Sequence, residues 1–449
     1  MKIKKLLNVG PALLLSLSAL LTVSIPMAHA ATFTCTWTDA SGTDNNFSTA
    51  TNWSNCNSVA PGAGSDSYNL DFPSSALGFQ PVDDIASLSV GTIAFDGTFS
   101  NPGNGGYDLT ASSPSNVITV DGGITDTTDG PGNTFGTGNE IDVNLTTAGA
   151  QTFSAGVNSV LILGDGTLSL NTGASTLTLG NVQVINPITG SGSLIVDDAN
   201  YPADVSGVDL LASSPSFTGS VAVNTGALFV DDTGSLSSAS QVTVASGALL
   251  KGGDNATSGG VSSLTVQSGG TVAPGHSPGC ITASNATING TYLAQIGGTN
   301  ACADYDQLQV SGSVNVTGGT LQTSVINSFA PTAGQTFEII DNTGGSAVTG
   351  TFAGLPEGAT FTSGGATFKI SYVGGTGNDV TLTVVGASGS SGSGSSGTSG
   401  SSGSSAAAPK TPNTGLDAVL ANPAAIFAAS SVAALTLVLT ARRLKPGVR

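Results

Sequence analysis

The chain has 449 residues with a formal net charge of −18, 39% hydrophobic residues, 5% aromatic residues and 63 glycines. It is too apolar for a disordered chain and too rich in glycine for a helical one, so its composition favours many tight turns around thin strands. Between residues 31 and 385 only Lys251 and Lys369 oppose 27 acidic residues, which leaves this part near −25. Nucleic acid and anionic lipid are therefore poor partners.

The first thirty residues have the layout of a secretory signal peptide. A basic start precedes a mostly apolar run, residues 6–23, and the small-x-small site Ala28-His29-Ala30. We expect cleavage between Ala30 and Ala31, followed by export to the cell surface. The alternative is an uncleaved membrane anchor, which the interruptions of the apolar run disfavour. These interruptions are Asn8, Gly10 and Pro11.

Residues 31–72 are predicted to form an N-terminal cap. They contain both tryptophans of the chain, Trp37 and Trp53, and the cysteines Cys35 and Cys56. The strand repeat that follows has an exposed first coil, which needs a cover against end-to-end association. The functional alternative is a carbohydrate platform built on the two tryptophans.

A short apolar-x-apolar triplet recurs through residues 73–325. Five central triplets start at nearly constant intervals: Val221-Ala222-Val223, Val242-Thr243-Val244, Leu264-Thr265-Val266, Ala286-Thr287-Ile288 and Leu308-Gln309-Val310. Five earlier ones recur at a slightly longer interval: Ile93-Ala94-Phe95, Ile118-Thr119-Val120, Val143-Asn144-Leu145, Leu168-Ser169-Leu170 and Leu194-Ile195-Val196. Period-2 alternation gives each triplet a core face, and a constant interval of this size is typical of stacked repeats. We predict an all-β parallel β-helix with two or three short strands per coil.

The four cysteines indicate an exported protein with disulfides. They have no CxxC spacing, and His276 is the one histidine after the signal peptide, which argues against metal or thiol chemistry. Cys280 and Cys302 are separated by one coil of the repeat, so we expect Cα atoms about 5 Å apart and a disulfide. Cys35 and Cys56 have nearly the same separation, which allows the same arrangement.

Three groups of residues carry a resemblance to a known family. TDNNFSTATNWSNC and VAPGAGSDSYNLDF resemble the first segment of autotransporter-type passenger domains built from autotransporter-associated β-strand repeats. LTVQSGGTVAPGHSPGCITASNATINGTYLAQI and YDQLQVSGSVNVTGGTL are similar to their repeat. GQTFEIIDN, AVTGTFAGLPEGATF and FKISYVGGTGNDVTLTV resemble their C-terminal part, which implies a β cap over residues 326–385. The resemblance implies a β-helical adhesin.

The C-terminal region departs from that family, because the segment after position 385 is far shorter than the several hundred residues that a membrane β-barrel needs. We therefore do not expect self-translocation. Residues 386–408 are rich in Gly and Ser and predict a flexible tether that spans roughly 25 Å.

Residues 409–449 resemble a sortase cell-wall sorting signal of the LPxTG type. Pro412, Asn413, Thr414 and Gly415 match the last four positions, while Thr411 stands where that family has Leu. An uncharged transmembrane segment, residues 422–441, follows, and a basic tail fixes the C-terminus inside. The alternative is a decayed motif on a permanent membrane anchor. The tail cations are Arg442, Arg443 and Lys445.

Three patterns suggest ligands, and each has a simpler structural explanation. The nonapeptide 374–382 resembles a calcium-binding β-roll repeat but occurs once, which favours a turn. The Asp pairs could hold calcium, although solvated turns explain them; they are Asp83/Asp84, Asp197/Asp198 and Asp231/Asp232. An outward row of threonines would suit ice, but it breaks at Ala222 and Gln309, which favours ordinary packing. The row is Thr243, Thr265 and Thr287.

Enzymatic β-helices are the rival class. A lyase needs a cation for its anionic intermediate, and a hydrolase needs paired carboxylates on neighbouring coils. The glutamates with the longer reach are Glu140, Glu338 and Glu357. We predict no enzyme activity and no catalytic, cofactor or metal site.

The sequence predicts a secreted, surface-anchored β-solenoid that acts as an adhesin or structural cell-surface protein. The alternative function is a carbohydrate-active β-helix that cleaves or binds polysaccharide. The expected partners are a receptor or glycan on a host or neighbouring cell, and the cell wall or membrane through the tail.

Overall fold

Alternating apolar and polar residues fold most of this chain into short strands. The computed structural model describes residues 31–387 except 63–65, 77–79, 98–105, 129–137, 157–158, 171–174, 199–206, 232, 254–258 and 276–277. The described chain is all-β, with a 3-10 helix at Ala50–Asn52. Its sheets are mainly parallel, consistent with a β-solenoid, so the predicted strand class is confirmed.

The strands follow one another closely along the chain. The first ten are β1 (Thr32–Trp37), β2 (Trp53–Ser54), β3 (Ser67–Pro73), β4 (Val82–Asp83), β5 (Ser87–Asp96), β6 (Asp108–Ala111), β7 (Val117–Asp126), β8 (Asn139–Asp142), β9 (Asn144–Thr147) and β10 (Gln151–Ala155). The next twelve are β11 (Leu161–Leu163), β12 (Leu168–Leu170), β13 (Thr176–Gly180), β14 (Val182–Val184), β15 (Ile188–Gly190), β16 (Ser193–Asp197), β17 (Gly207–Leu210), β18 (Ser220–Thr225), β19 (Ala227–Val230), β20 (Ser235–Leu236), β21 (Gln241–Val244) and β22 (Leu249–Gly252). The last eleven are β23 (Gly259–Val266), β24 (Thr271–Ala273), β25 (Cys280–Ile288), β26 (Thr291–Ile296), β27 (Gln307–Val310), β28 (Val314–Asn315), β29 (Thr320–Val325), β30 (Thr336–Asn342), β31 (Thr360–Ser363), β32 (Ala366–Gly374) and β33 (Asp379–Ala387).

Within the described residues, these strands form two sheets. Sheet 2 has eleven strands, β4, β6, β8, β11, β14, β17, β19, β22, β24, β26 and β29, and the other 22 form sheet 1. A coil gives sheet 2 one strand and gives sheet 1 either one long strand, such as β7, or two short ones, such as β12 and β13. Two or three strands per coil are therefore present, as predicted.

A continuous apolar stack runs through the core behind sheet 1. Each member pairs in register with the next, so one inward position is repeated from coil to coil. All members are buried. The stack is Leu70, Ile93, Ile124, Phe153, Leu179, Val196, Val223, Val244, Val266 and Ile288.

The predicted triplet register is right in the centre and wrong toward the C-terminus. Triplets at 221, 242, 264 and 286 stack as expected. Ala286 then stacks on Val314, whereas Leu308 stacks on Ile281. The fifth triplet therefore belongs to the neighbouring strand of its coil.

The register is also wrong toward the N-terminus. Leu194 stacks on Leu177 rather than on Leu168, and Ile93 stacks on Ile124 rather than on Ile118. Both short strands of a coil carry apolar-x-apolar patterns, and the length of chain between stacked residues varies widely from coil to coil. A search with a fixed period therefore assigns strands from two different stacks to one stack.

The two ends of sheet 1 differ from its middle. At the N-terminal end, β1 pairs in parallel with β3 and antiparallel with β2. At the C-terminal end, β33 pairs antiparallel with β30 and β32, and β31 with β32. The described ranges contain no helix long and apolar enough to cross a bilayer. The predicted signal peptide, most of the linker and the predicted membrane span lie outside them.

Replacing a member of the apolar stack should be much more harmful than replacing its outward neighbour. We expect Leu179→Ala to lower the free energy of unfolding by about 2 to 5 kcal/mol, because it opens a cavity between coils. Thr178→Ala, one residue away on the outer face, should cost less than about 0.5 kcal/mol. Urea unfolding measures both, and equal losses would contradict the inward position of Leu179.

Candidate functional site

A cluster of three carboxylates on the outer face of sheet 2 is the strongest candidate for a site. Parallel pairing of β6 and β8 sets Asp108 opposite Glu140, with Asp142 two positions further along β8. Leu109 and Ile141 are buried on the inner face, so alternation turns the acidic residues outward. One oxygen from each carboxylate lies within 4.8 Å of those from the other two.

A glycine on the next coil leaves room for these side chains. A Cβ atom on Gly164 would collide with Oδ1 of Asp142 and crowd Oε1 of Glu140. The following residue, Asp165, donates its N–H to Asp142 Oδ1 at 2.7 Å. The turn after β11 therefore fixes the position of the Asp142 carboxylate.

The half-buried setting makes Asp142 a weaker acid. Burial raises the pKa of the Asp142 carboxyl to about 6; the Asp165 N–H opposes this shift, and the carboxylates of Asp165 and Asp108 add to it. Oxygen donors of this kind could hold a hard divalent cation such as Ca²⁺. Carboxylate oxygens within 4.8 Å of one another also suit a retaining glycoside hydrolase better than an inverting one, which needs a wider gap for water.

Sequence reasoning finds one member of this cluster and misses two. The reach of a glutamate singles out Glu140, but nothing comparable marks Asp108 or Asp142. The interval between Asp108 and Glu140 is well outside the repeat period, so spacing does not connect them. One pattern in the sequence could have indicated the cluster: in both β6 and β8, an acidic residue stands next to a single buried aliphatic residue.

The other two glutamates lie in the C-terminal antiparallel part. Glu357 accepts the Tyr372 N–H at 2.7 Å, which is a structural contact. Burial raises the pKa of Glu338 in β30, and the nearby carboxylates of Asp379 and Asp341 raise it further. The structure does not bring either residue into the cluster around Glu140.

Two predicted Asp pairs point their members to different environments. Asp83 is buried and accepts the Ile85 N–H, whereas Asp84 accepts from the N–H and hydroxyl of Ser48. Exposed Asp197 accepts the hydroxyl of Thr225, while Asp198 is buried. Strand alternation separates the carboxyls, so neither pair forms a joint oxygen site. Asp231 is buried, and position 232 lies outside the described residues.

The β-roll-like nonapeptide contains the turn between β32 and β33. The Asp379 carboxylate accepts from the N–H of Asn342 and from the N–H and hydroxyl of Thr376. Its oxygens therefore hold this turn against β30, as the structural explanation requires.

The outward threonine row is present, but its end differs from the prediction. Thr243, Thr265 and Thr287 stack in register on three coils. The next position is Asn315 rather than Gln309, because the coil that follows Thr287 is longer than the central ones.

The tryptophans belong to the core. Trp37 is fully buried and Trp53 nearly so, and their rings meet edge to face with centroids 5.0 Å apart. The Trp53 ring N–H donates to the Phe47 carbonyl at 2.9 Å. A carbohydrate platform needs exposed ring faces, which these indoles do not offer.

Both predicted disulfides are present, for a different geometric reason. Cα separations are 4.4 Å for Cys35–Cys56 and 4.9 Å for Cys280–Cys302. The residue stacked on Cys280 is Gln307, so Cys302 reaches the bridge from the segment before β27. The prediction of the bond is confirmed, whereas the stacked-coil explanation is wrong.

A buried acid that the sequence does not reveal lies beside the second disulfide. Asp306 is fully buried, and its two oxygens accept the N–H groups of Gly279 and Gln295, each at 2.9 Å. Burial raises the pKa of Asp306 to about 7, although both N–H groups and the Lys251 ammonium oppose the shift.

The processing residues fall outside the structural description. Ala30 and residues 412–415 are not among the described residues, and Ala31 is the first that is. Their predicted roles stay predictions. His276 also lies outside the described ranges.

No protein-family model matches this chain, and no curated protein has a significantly similar sequence.

Adding a methyl group at Gly164 should disturb the carboxylate cluster. We expect Gly164→Ala to destabilise by about 1 to 3 kcal/mol through crowding of Asp142 and Glu140. Gly345→Ala is the matched control, since a Cβ there meets nothing within 4 Å. In a double-mutant cycle, Asp142→Ala should remove much of the Gly164→Ala cost. Additive unfolding energies would contradict the contact.

The stability of the protein should fall as pH rises toward neutrality. A group whose pKa is raised by folding stabilises the folded state fully below its unfolded pKa, near 4, and loses this contribution as pH rises through its folded pKa, about 7 for Asp306. In the native protein, the free energy of unfolding should therefore fall between pH 4 and pH 8. Asp306→Asn should make this fall smaller by up to a few kcal/mol.

Urea unfolding at pH 4, 6 and 8 measures this slope, with Asp121→Asn on an exposed position as the control. Asp83 and Asp142 shift in the same direction, so the slope should shrink without vanishing. An unchanged slope in Asp306→Asn would contradict the prediction.

Proposed function

We propose that this protein is a secreted, surface-anchored β-solenoid that serves as an adhesin or structural cell-surface protein. The observation that carries the proposal is the continuous apolar stack behind a long parallel sheet. A body built in this way has a filled core and presents its outer faces and turns to other molecules. Binding by such a body depends on exposed residues held on a rigid scaffold.

The disulfides support the export that this function requires. Two such bonds fit an exported protein, because disulfides persist in oxidising surroundings. The partner is then a receptor or glycan on a host or neighbouring cell.

The anchor forms part of the same proposal. A sortase would attack the carbonyl of Thr414, release Gly415 with the rest of the tail, and transfer the protein to a cell-wall amine. Mass spectrometry of wall digests should then find peptides that end at Thr414 joined to a wall fragment. Intact protein containing Arg442, confined to the detergent fraction, would instead indicate a permanent membrane anchor.

The alternative function is a carbohydrate-active protein, and the cluster of Asp108, Glu140 and Asp142 is the observation that favours it. On neighbouring coils, these carboxylates would supply the acid/base and the nucleophile of a retaining glycoside hydrolase. A glycan chain lying across the outer face of sheet 2 would contact them directly.

A polysaccharide panel separates the two functions. We expect the mature protein to bind cells or glycans without releasing new reducing ends. Glu140→Gln should leave this binding unchanged within about twofold, as should the exposed control Asp121→Asn. Reducing ends released by the native protein and lost in Glu140→Gln alone would overturn the adhesin proposal and establish a hydrolase.

A further inference from the structure

One coil near the C-terminal end is longer than the central coils directly before it. Leu264 stacks on Ala286 after a coil of the central length, but Ala286 stacks on Val314 only after a longer stretch of chain. The additional residues lie between β26 and β27. A longer connection makes the register of the next strand harder to specify, and a slip of one residue would turn its apolar side chains outward.

Residues 295–306, called the hairpin below, form an ordered antiparallel structure. The Asp306 N–H donates to the Gln295 carbonyl at 2.9 Å, and the Gly297 N–H donates to the Asp304 carbonyl at 2.7 Å. At its tip, the Asp304 carboxylate accepts the N–H groups of Thr299 and Asn300. The extra length of the coil is therefore folded on itself.

Two independent fastenings join the hairpin to the start of β25. One is the disulfide from Cys302 to Cys280. The other is the Asp306 carboxylate, which accepts the N–H of Gly279, the residue before Cys280, and also that of Gln295. Both fastenings hold the same two segments together, one by a covalent bond and one by the hydrogen bond from the Gly279 N–H to Asp306, while the bond from Gln295 lies within the hairpin.

The opposite side of the hairpin and β27 contact the C-terminal strands. The Tyr305 ring meets the Phe337 ring edge-on, with centroids 5.4 Å apart, and its hydroxyl accepts the Glu338 N–H at 3.4 Å. Gln307 Nε2 donates to the Glu338 carbonyl at 2.8 Å. Leu308 stacks on Ile340 of β30. The position of the hairpin therefore decides where β30 pairs.

We propose that the hairpin is a latch. Its two fastenings to β25 set the register of β27 and so hold the antiparallel strands β30 to β33 on the end of the solenoid. Because both act on the same segments, either one retains most of the pairing, and losing both releases β27 and β30 while the earlier coils stay folded. This inference rests on the fold and does not depend on the proposed function.

Hydrogen exchange followed by mass spectrometry tests the latch in the mature full-length chain. The variants are Asp306→Asn, the pair Cys280→Ser with Cys302→Ser, and all three changes together. We expect exchange in β27 and β30 to rise about threefold in each of the first two and at least about a hundredfold in the combined variant, more than the product of the separate effects. Exchange in β18 and β21 should not change.

The other disulfide supplies the matched control. Replacing Cys35 and Cys56 by Ser should raise exchange near β1 to β3 and leave β30 unaffected. The proposal would be overturned if the rise in exchange in the combined variant equalled the product of the two separate rises. An equal rise of exchange in all coils would overturn it as well. If the variants at Cys280 and Cys302 do not fold, Asp306→Asn must still exchange faster in β27 than Asp121→Asn, and no difference would overturn it as well.

Discussion

The structure depends on one constraint: each coil can bury its apolar side chains only if it pairs in register with the coil before it. A strand of only a few residues is too short to be stable alone, and its inner face gives it few side chains to bury. The stack from Leu70 to Ile288 repeats that small gain on every coil. Parallel pairing between coils also gives the backbone N–H and C=O groups of each strand their hydrogen-bond partners, along the direction in which the coils stack.

Acidic residues are placed so that this core tolerates them. With Lys251 and Lys369 the only lysines or arginines between residues 31 and 385, most buried carboxylates cannot have a cationic partner. They accept backbone N–H groups instead, as Asp306 does from Gly279 and Gln295. The raised pKa of Asp306 indicates that burial outweighs this help. The cluster around Glu140 also follows from this excess of acidic residues, but its carboxylates lie on the outer face of sheet 2.

Irregular coils are where this protein departs from a simple repeat. The central coils are short and nearly constant in length, whereas the coil after β26 carries a folded hairpin, a disulfide and a buried acid. The carboxylate cluster also follows an irregular spacing, the long interval between Asp108 and Glu140. Features that could carry chemistry therefore occur where the period fails, because an added segment brings polar groups that a minimal coil cannot hold.

The sequence by itself determined the strand class, the parallel stacking and the central register, because period-2 alternation and a constant coil length are local properties that sequence spacing records directly. It also indicated both disulfides, although Cys302 meets Cys280 through a hairpin and not through a stacked rung. Only the tertiary structure decided which of two similar strands in a coil stacks on the next, and which carboxylates meet at Glu140. Those pairings depend on how many residues each turn contains. Turn length is set by the three-dimensional closure of the coil and not by the apolar pattern.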